Sequence, residues 1–372
     1  MATQQHSSLD AQAREHIVSA ALSAPTADSL FTAVSARLSD VVPSDGSGWF
    51  GIDPVTVLPS WPVRIENIEH GHCETYWARE FFQTDVLSLR TLADGTHATG
   101  ALHNSLDGLM SRSVRYREFL APSGYKDELR STLRVGGSTW GLLVLLRGDG
   151  LAAFSAAEIA FVESLSQPLA DALRAKLNAG PQRGAEDAGP GVLLFDLLGR
   201  LISVNQDARH WMDQLPNSAI AEQMPVVLST AVANARATEA GRARSAGDVL
   251  VQSLAGQWLR IHSSALRDSD GAAQSFAVTI TPEDRRGLAS ILAESYGLSP
   301  REVEVTHRLA RGESTAAIAL ALFLSEHTVR DHVKSVLGKT GVSSRAALVA
   351  RLFFEHTHST ADSDQMHLAV PS

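Results

Sequence analysis

The chain has little that supports enzymatic or metal chemistry. One cysteine in 372 residues, Cys73, excludes an intramolecular disulfide and any all-cysteine metal or iron–sulfur site. No Gly-x-x-x-x-Gly-Lys-Ser/Thr loop is present to cradle a nucleotide phosphate. No Gly-x-Ser-x-Gly elbow presents a serine nucleophile, and no His-Glu-x-x-His pair offers zinc two imidazoles. The Gly136-Gly137-Ser138 cluster reads as a hairpin turn. No catalytic residue, resident metal or cofactor is therefore expected. The early acidic pair and the strand–helix alternation of a phosphoacceptor domain are missing as well. So are long apolar runs: Ala316 to Leu324 is the longest, Ala-rich and well short of the ~20 residues a membrane-spanning helix needs. With no signal-peptide pattern, the expectation is a cytoplasmic protein that does not engage a membrane.

Positive charge is scarce overall but not evenly so. The net charge is −9, yet residues 296–356 carry eight Lys/Arg against six Asp/Glu, so this segment is +2 and the remainder −11. An acidic body limits non-specific attachment to polyanions and leaves a mildly basic head to find a partner of its own. That head holds the most specific pattern in the chain. Ser299-Pro300-Arg301-Glu302 has a helix N-cap, a proline at the first helical position and a glutamate three residues after the cap. The helix it opens should run to about Arg311 and stop at Gly312. Thr315 to Leu322 reads as a short second helix, and Ser325 caps a third, Glu326 to Leu337. Only Phe323 and Leu324 lie between them, the tight joint of a helix-turn-helix over about Ser314 to Val333.

The third helix separates its residues by chemistry. Val329, Val333, Val336 and Leu337 share one apolar face, while His327, Arg330, Asp331 and Lys334 fall on the opposite one. A helix offered to the DNA major groove needs this division, one side anchored in a core and the other carrying donors for bases and phosphates. Arg330 has the forked geometry for a guanine edge, and Lys334 is a point charge for guanine or phosphate. Asp331 suits cytosine N4 or repels wrong registers, and His332, nearer the apolar side, reads as structural. An isolated amphipathic helix would show the same face. The second cap and the two-residue joint are what favour DNA.

These residues resemble the LuxR-type (GerE-like) helix-turn-helix domain over about 298–352: LSPRE, the Gly312-x-Ser314 step, Ile318-Ala319, LSEHTVRDHV and Lys339-x-Gly341-Val342. The resemblance implies a four-helix bundle whose third helix enters the major groove. Its fourth helix, about Arg345 to Phe354, would form a dimer contact. Ser325, His327, Thr328, Arg330, Asp331, Lys334 and Lys339 form the DNA-binding set it implies. Two positions depart from the family's pattern. Ala316-Ala317 stands where many members are polar or charged, and His327 where many have lysine. Fewer phosphate contacts would remain, which argues for binding as a dimer.

The fold class expected is multidomain α+β. Residues 1–176 hold two amphipathic helices (Leu9 to Ala24, Ala27 to Val41) and strand-like Gly48 to Ile52 and Trp61 to Ile65. A hairpin (Thr132 to Val135 with Thr139 to Arg147) and a long helix capped at Phe154-Ser155-Ala-Ala-Glu158 follow. This α/β pattern resembles a GAF domain. A Gly/Pro-rich linker spans 177–190. Residues 191–281 run hairpin, helices, hairpin and resemble a PAS domain, with a turn at Asp268-Ser-Asp-Gly271. A connector (282–295), the all-α head (296–356) and a tail expected to be disordered (357–372) complete the chain, and no internal repeat is evident. Trp49, Phe50, Trp61, Tyr76, Trp77 and Phe81 are read as core aromatics ahead of a ligand pocket. His70-Gly71-His72-Cys73 contains metal-ligating residue types, but adjacent residues on a short loop seldom converge on one ion.

Together these features indicate a DNA-binding transcription regulator acting on double-stranded DNA as a homodimer. An unidentified small-molecule effector and RNA polymerase are further implied partners. The alternative is a sigma-factor-like or polymerase-associated protein, which would need a helical, basic upstream domain.

Overall fold

The turns at Gly136-Gly137 and Asp268–Gly271 each close a long hairpin, and around each hairpin the chain builds a five-stranded antiparallel sheet. The computed structural model describes residues 2–68, 73–83, 85–177, 188–216, 224–243, 248–283, 291 and 296–349. It divides into two compact units, Met1–Glu283 and Asp284–Ser372.

The first unit opens with α1 (Ala2–Ser23) and α2 (Ala27–Leu38), followed by β1 (Gly46–Asp53), β2 (Leu58–Glu66), α3 (Cys73–Phe82) and α4 (Leu89–Asp94). Then come β3 (Thr99–Ala101), α5 (Leu102–Ser105), β4 (Asp127–Val135), β5 (Ser138–Arg147) and α6 (Ala156–Leu177). The strand order is β2-β1-β5-β4-β3. Helices α1, α2 and α6 cover one face through Leu30, Phe31, Trp49, Leu143, Val162 and Leu169. Phe50, Trp77, Phe119, Leu142 and Val144 fill the other face. With both faces covered, β1 is buried along its whole length, which is why it reads as a continuous run rather than an alternation. The capping box expected at Ser155 is present: the Ser155 amide donates to Glu158 Oε2 at 2.8 Å, and the Glu158 amide to Ser155 Oγ at 3.3 Å.

Several expectations change here. Helix α2 stops at Leu38 rather than Val41, and β4 begins at Asp127, five residues before the expected Thr132. Asp127, Glu128, Arg130 and Ser131 are polar or charged, yet all are buried. They are tolerated because each has partners, although Arg130 Nε and Nη2 have none among the described residues. Arg130 Nη1 lies 2.9 Å from Glu80 Oε2 and 2.8 Å from the Leu87 carbonyl. Arg115 Nε meets Glu128 Oε2 at 2.6 Å, and the Tyr76 hydroxyl donates to Glu128 Oε1 at 3.0 Å. Burial alone would raise the Glu80 carboxyl, but the Arg130 and Arg115 charges outweigh it and hold the group below the usual carboxylate range. Trp49, Phe50, Tyr76 and Trp77 are core, and Trp61 and Phe81 pack half-buried against it: Phe50 and Trp77 meet edge-to-face at 5.1 Å, Tyr76 and Phe119 at 5.2 Å. His70, Gly71 and His72 lie outside the described residues, so the His-Gly-His-Cys reading is not placed.

Downstream, β6 (Gly191–Phe195), β7 (Leu201–Val204), α7 (Gln206–Gln214), α8 (Val226–Glu239), β8 (Val249–Gln252), β9 (Trp258–Arg267) and β10 (Ala273–Pro282) follow the expected hairpin, helices, hairpin order. Strand order β7-β6-β10-β9-β8 repeats the positional order of the first sheet, so a repeat exists in topology without one in sequence. Trp211 of α7 and Leu228 of α8 pack on Leu193, Phe195, Val251 and Phe276.

The two sheets meet at their edge strands, β2 and β8. Asp53 Oδ2 accepts the Leu250 amide at 3.1 Å, and Ser60 Oγ donates to the Leu250 carbonyl at 2.5 Å. Leu58 belongs to the second core and Val226 to the first. Residues 177–190 therefore join two modules of one packed unit; of that segment, 178–187 lie outside the described residues.

The second unit contains α9 (Pro300–Ala310), α10 (Thr315–Leu322), α11 (Glu326–Thr340) and α12 (Arg345–Val349). Residues 350–372, including the expected tail, lie outside the description, as does most of the connector. No helix among the described residues is long and apolar enough to cross a membrane.

Candidate nucleic-acid interface

Three N-caps set the geometry of the head. Ser299 and Glu302 form the capping box anticipated for α9, Ser314 Oγ accepts the Ala317 amide at 3.2 Å, and Ser325 Oγ accepts the Thr328 amide at 3.1 Å. Between α10 and α11 the chain reverses through Phe323, a non-glycine residue in the left-handed region at φ 54, whose ring is 96% exposed. The reversal lets the Leu324 amide donate to the Ala319 carbonyl at 2.9 Å, closing α10.

Helix α11 buries Val329, Val333, Val336 and Thr340, so its apolar seam faces α9 and α10 as anticipated. It is three residues longer than the expected end at Leu337. Gly341, at φ 67, terminates it instead. Thr340 explains the extension, because its hydroxyl donates to the Val336 carbonyl at 2.8 Å and the residue is buried.

On the outer side, His327, Arg330, Asp331 and Lys334 are exposed together, with Ser325 and half-buried Thr328 at the helix start. Arg330 Nη2 rests 2.9 Å from Glu326 Oε2, and His327 Nδ1 lies 2.9 Å from Asp331 Oδ2. Lys334 has no hydrogen bond or ion pair among the described residues. The two pairs are i,i+4 contacts on an open face, where such pairs are weak and readily exchanged for a stronger partner. His332 is half-buried, in keeping with a structural role.

Lys339 stands apart from that set. Its ammonium lies 2.7 Å from Glu302 Oε2, and Ser335 Oγ donates to Glu302 Oε1 at 2.6 Å. Burial pushes the Glu302 carboxyl up, but hydrogen bonds from Lys339, Ser335 and the Ser299 amide outweigh it and hold the group down at about 2. Glu302 therefore ties the first turn of α9 to the last turn of α11. No local spacing in the sequence links positions 37 residues apart. Arg301 makes a second tie that sequence reading missed, donating to the Leu322 carbonyl at the end of α10.

The family model for bacterial regulatory proteins of the luxR family (GerE) matches residues 296–352. The probable transcriptional regulatory protein NarL of Mycobacterium tuberculosis is 35% identical over 106 residues, 28% of this chain and 48% of that protein. The chain thus spans about half the length of such curated relatives. The spore germination protein GerE of Bacillus subtilis is 42% identical over 55 residues, 15% of this chain and 74% of that protein. Among solved structures, the GAF domain of an Acinetobacter phosphoenolpyruvate-protein phosphotransferase aligns with 44% of this chain and 92% of its own at 14% identity, TM-score 0.32. With α9–α12 in the family's order and a relative of which the chain covers most, the protein belongs to the luxR family of bacterial regulatory proteins, and its C-terminal unit is the family's DNA-binding helix-turn-helix.

Proposed function

We propose that the protein is a sequence-specific transcription regulator that binds double-stranded DNA as a homodimer and responds to a small-molecule or protein signal through its N-terminal unit. The observation that carries this reading is the division of α11: valines locked into the head, and Arg330 and Lys334 on an open outer face. Arg330 and Asp331 would read base edges, Lys334 would meet guanine or phosphate, and Ser325, His327 and Thr328 would lie at the phosphates; Lys339 would act through the position of α11. A head that is only mildly basic has few phosphate contacts to offer, which favours two heads on paired half-sites about one helical turn apart. Signal coupling of about 1–3 kcal/mol would change occupancy some 5–150-fold. We assign no catalytic step to the chain. The sigma-like alternative loses ground because residues 46–147 are built around a sheet rather than a basic helical domain.

Selection from random duplex DNA with the full-length protein tests the reading. An inverted-repeat site with Arg330-dependent enrichment supports it. Selection of no sequence, or of one unaffected by Arg330→Ala and Lys334→Ala, overturns the groove assignment.

A further inference from the structure

A cleft of about 430 Å³ opens where the end of α3 and the start of α4 face the segment that follows α8. Its walls come from both modules of the first unit: Gln83, Ser88, Arg90 and Thr91 from the first, Arg242 and Ala243 from the second. Two carboxylates, Glu80 and Asp85, also border it, so that by residue count alone the cleft is electrically balanced.

The hydrogen bonds decide otherwise. Glu80 Oε2 is held by Arg130 at 2.9 Å, and its Oε1 accepts the Leu89 amide. Asp85 Oδ2 accepts Ser113 Oγ and the Arg115 amide, each at 2.7 Å, while Oδ1 accepts the Val86 amide at 2.8 Å. Glu80 is thus neutralised by Arg130, and Asp85 keeps its charge but has both oxygens engaged by donors of the protein. The cations are not so engaged. Arg90 is exposed and makes no hydrogen bond or ion pair among the described residues. Arg242 is also exposed, and a single donor, Nη1, reaches the Phe82 carbonyl; the rest of its fork has no partner among the described residues. Ser88 and Thr91 add hydroxyls 2.7 Å from each other. Planar guanidinium forks with spare donors match carboxylate and phosphate oxygens, and the volume falls within the range of small-molecule sites.

We propose that this cleft binds a small oxyanion-bearing molecule, gripped by Arg90 from one module and Arg242 from the other. A ligand held this way bridges the two modules of the first unit. The simpler explanation of Arg242 is a cation that satisfies the last carbonyls of α3; it predicts no role for Arg90.

Calorimetric titration of the full chain with inorganic phosphate and, separately, with citrate, at constant ionic strength, tests the proposal and separates the two sources of oxyanion. The expected result is saturable binding of at least one probe, weakened about tenfold or more in Arg90→Ala and in Arg242→Ala. Arg90→Ala should leave the thermal unfolding of the chain unchanged, since its side chain makes no internal bond, so loss of binding in that variant cannot be ascribed to misfolding. Saturation by neither anion, or binding by Arg90→Ala equal to that of the parent, overturns it.

Discussion

Lys339 Nζ lies 2.7 Å from Glu302 Oε2, joining the last turn of α11 to the first turn of α9. Glu302 is 5% exposed and completes a capping box at the same time, so one carboxylate serves the helix start and the inter-helix tie. Replacing it with alanine leaves the Ser299 amide and Ser335 hydroxyl without their acceptor, at a cost of about 1–3 kcal/mol to the head. The pH dependence follows from the folded value of about 2 against 4.5 for the free group. A depressed carboxyl contributes its full stability above 4.5, and that contribution declines as pH falls from there towards about 2. Hydrogen-exchange protection of the α9 amides in the full chain, corrected for intrinsic exchange, should fall across this window in the parent but not in Glu302→Ala. Equal declines in both would show that the tie contributes nothing.

Phe323 gives the opposite prediction, a gain. A bulky residue at φ 54 sits in a region that glycine enters freely, and a ring 96% exposed loses no burial when removed. Phe323→Gly should therefore stabilise the head by about 0.5–1 kcal/mol, even after the extra freedom glycine gives the unfolded chain. Unfolding followed by exchange of the α10 and α11 amides reads this directly. A destabilised variant would mean that the ring makes contacts its exposure does not reveal.

The head was legible because its signals are local. Ser299 with Glu302, Ser314 and Ser325 each announce a helix within three residues, and the valines of α11 repeat at helical spacing. The end of α11 was misplaced because Leu337 is the last large apolar residue of the seam, whereas Thr340 and Lys339 extend the helix through contacts made elsewhere. In the first unit the hairpin and α6 could be read, but the stretch between β2 and β4 could not. Strand β3 is three residues long and α5 four, too short to show a period. The start of β4 was hidden because Glu128 and Arg130 are charged, and charge in a sequence does not say whether its partner, here Arg115 or Glu80, lies across a fold. The joint between the sheets was equally silent, since Asp53, Ser60 and Leu250 meet only after both modules have formed.

That buried network carries a stability prediction. Arg130 is 0% exposed, with its Glu80 partner at 2.9 Å. Glu80→Gln removes the compensating charge and strands a buried guanidinium, which costs about 3–5 kcal/mol. Replacing both partners by apolar residues of similar size, Glu80→Leu with Arg130→Met, should cost markedly less, because no uncompensated charge remains. Urea unfolding followed by the fluorescence of the buried tryptophans, Trp77 and Trp140 among them, compares the two. If the double variant is as unstable as the single one, specific hydrogen bonds to the Leu87 carbonyl and from the Leu89 amide, not charge pairing, hold this face together.

The last prediction concerns competition for Arg330. In the free protein its guanidinium rests on Glu326, 2.9 Å away, with side chains 62% and 51% exposed. An exposed i,i+4 pair is worth about 0.3–0.5 kcal/mol, while a bidentate guanine contact discriminates by about 1–3 kcal/mol, so DNA should win the arginine. Arg330→Ala should thus weaken binding to a selected site and relax the preference at one base pair. Glu326→Gln should do the reverse, tightening binding by about twofold, since it frees the fork and removes a negative charge facing phosphate. Lys334, which has no internal pair, separates base from backbone contact: if Lys334→Ala lowers the salt slope by about one, the ammonium sits on a phosphate, and if it relaxes one base position instead, it sits on guanine. Fluorescence anisotropy across a salt series measures all three. Tighter binding by Arg330→Ala would mean that α11 meets DNA by a different face, and weaker binding by Glu326→Gln that the ion pair itself is part of the recognition surface.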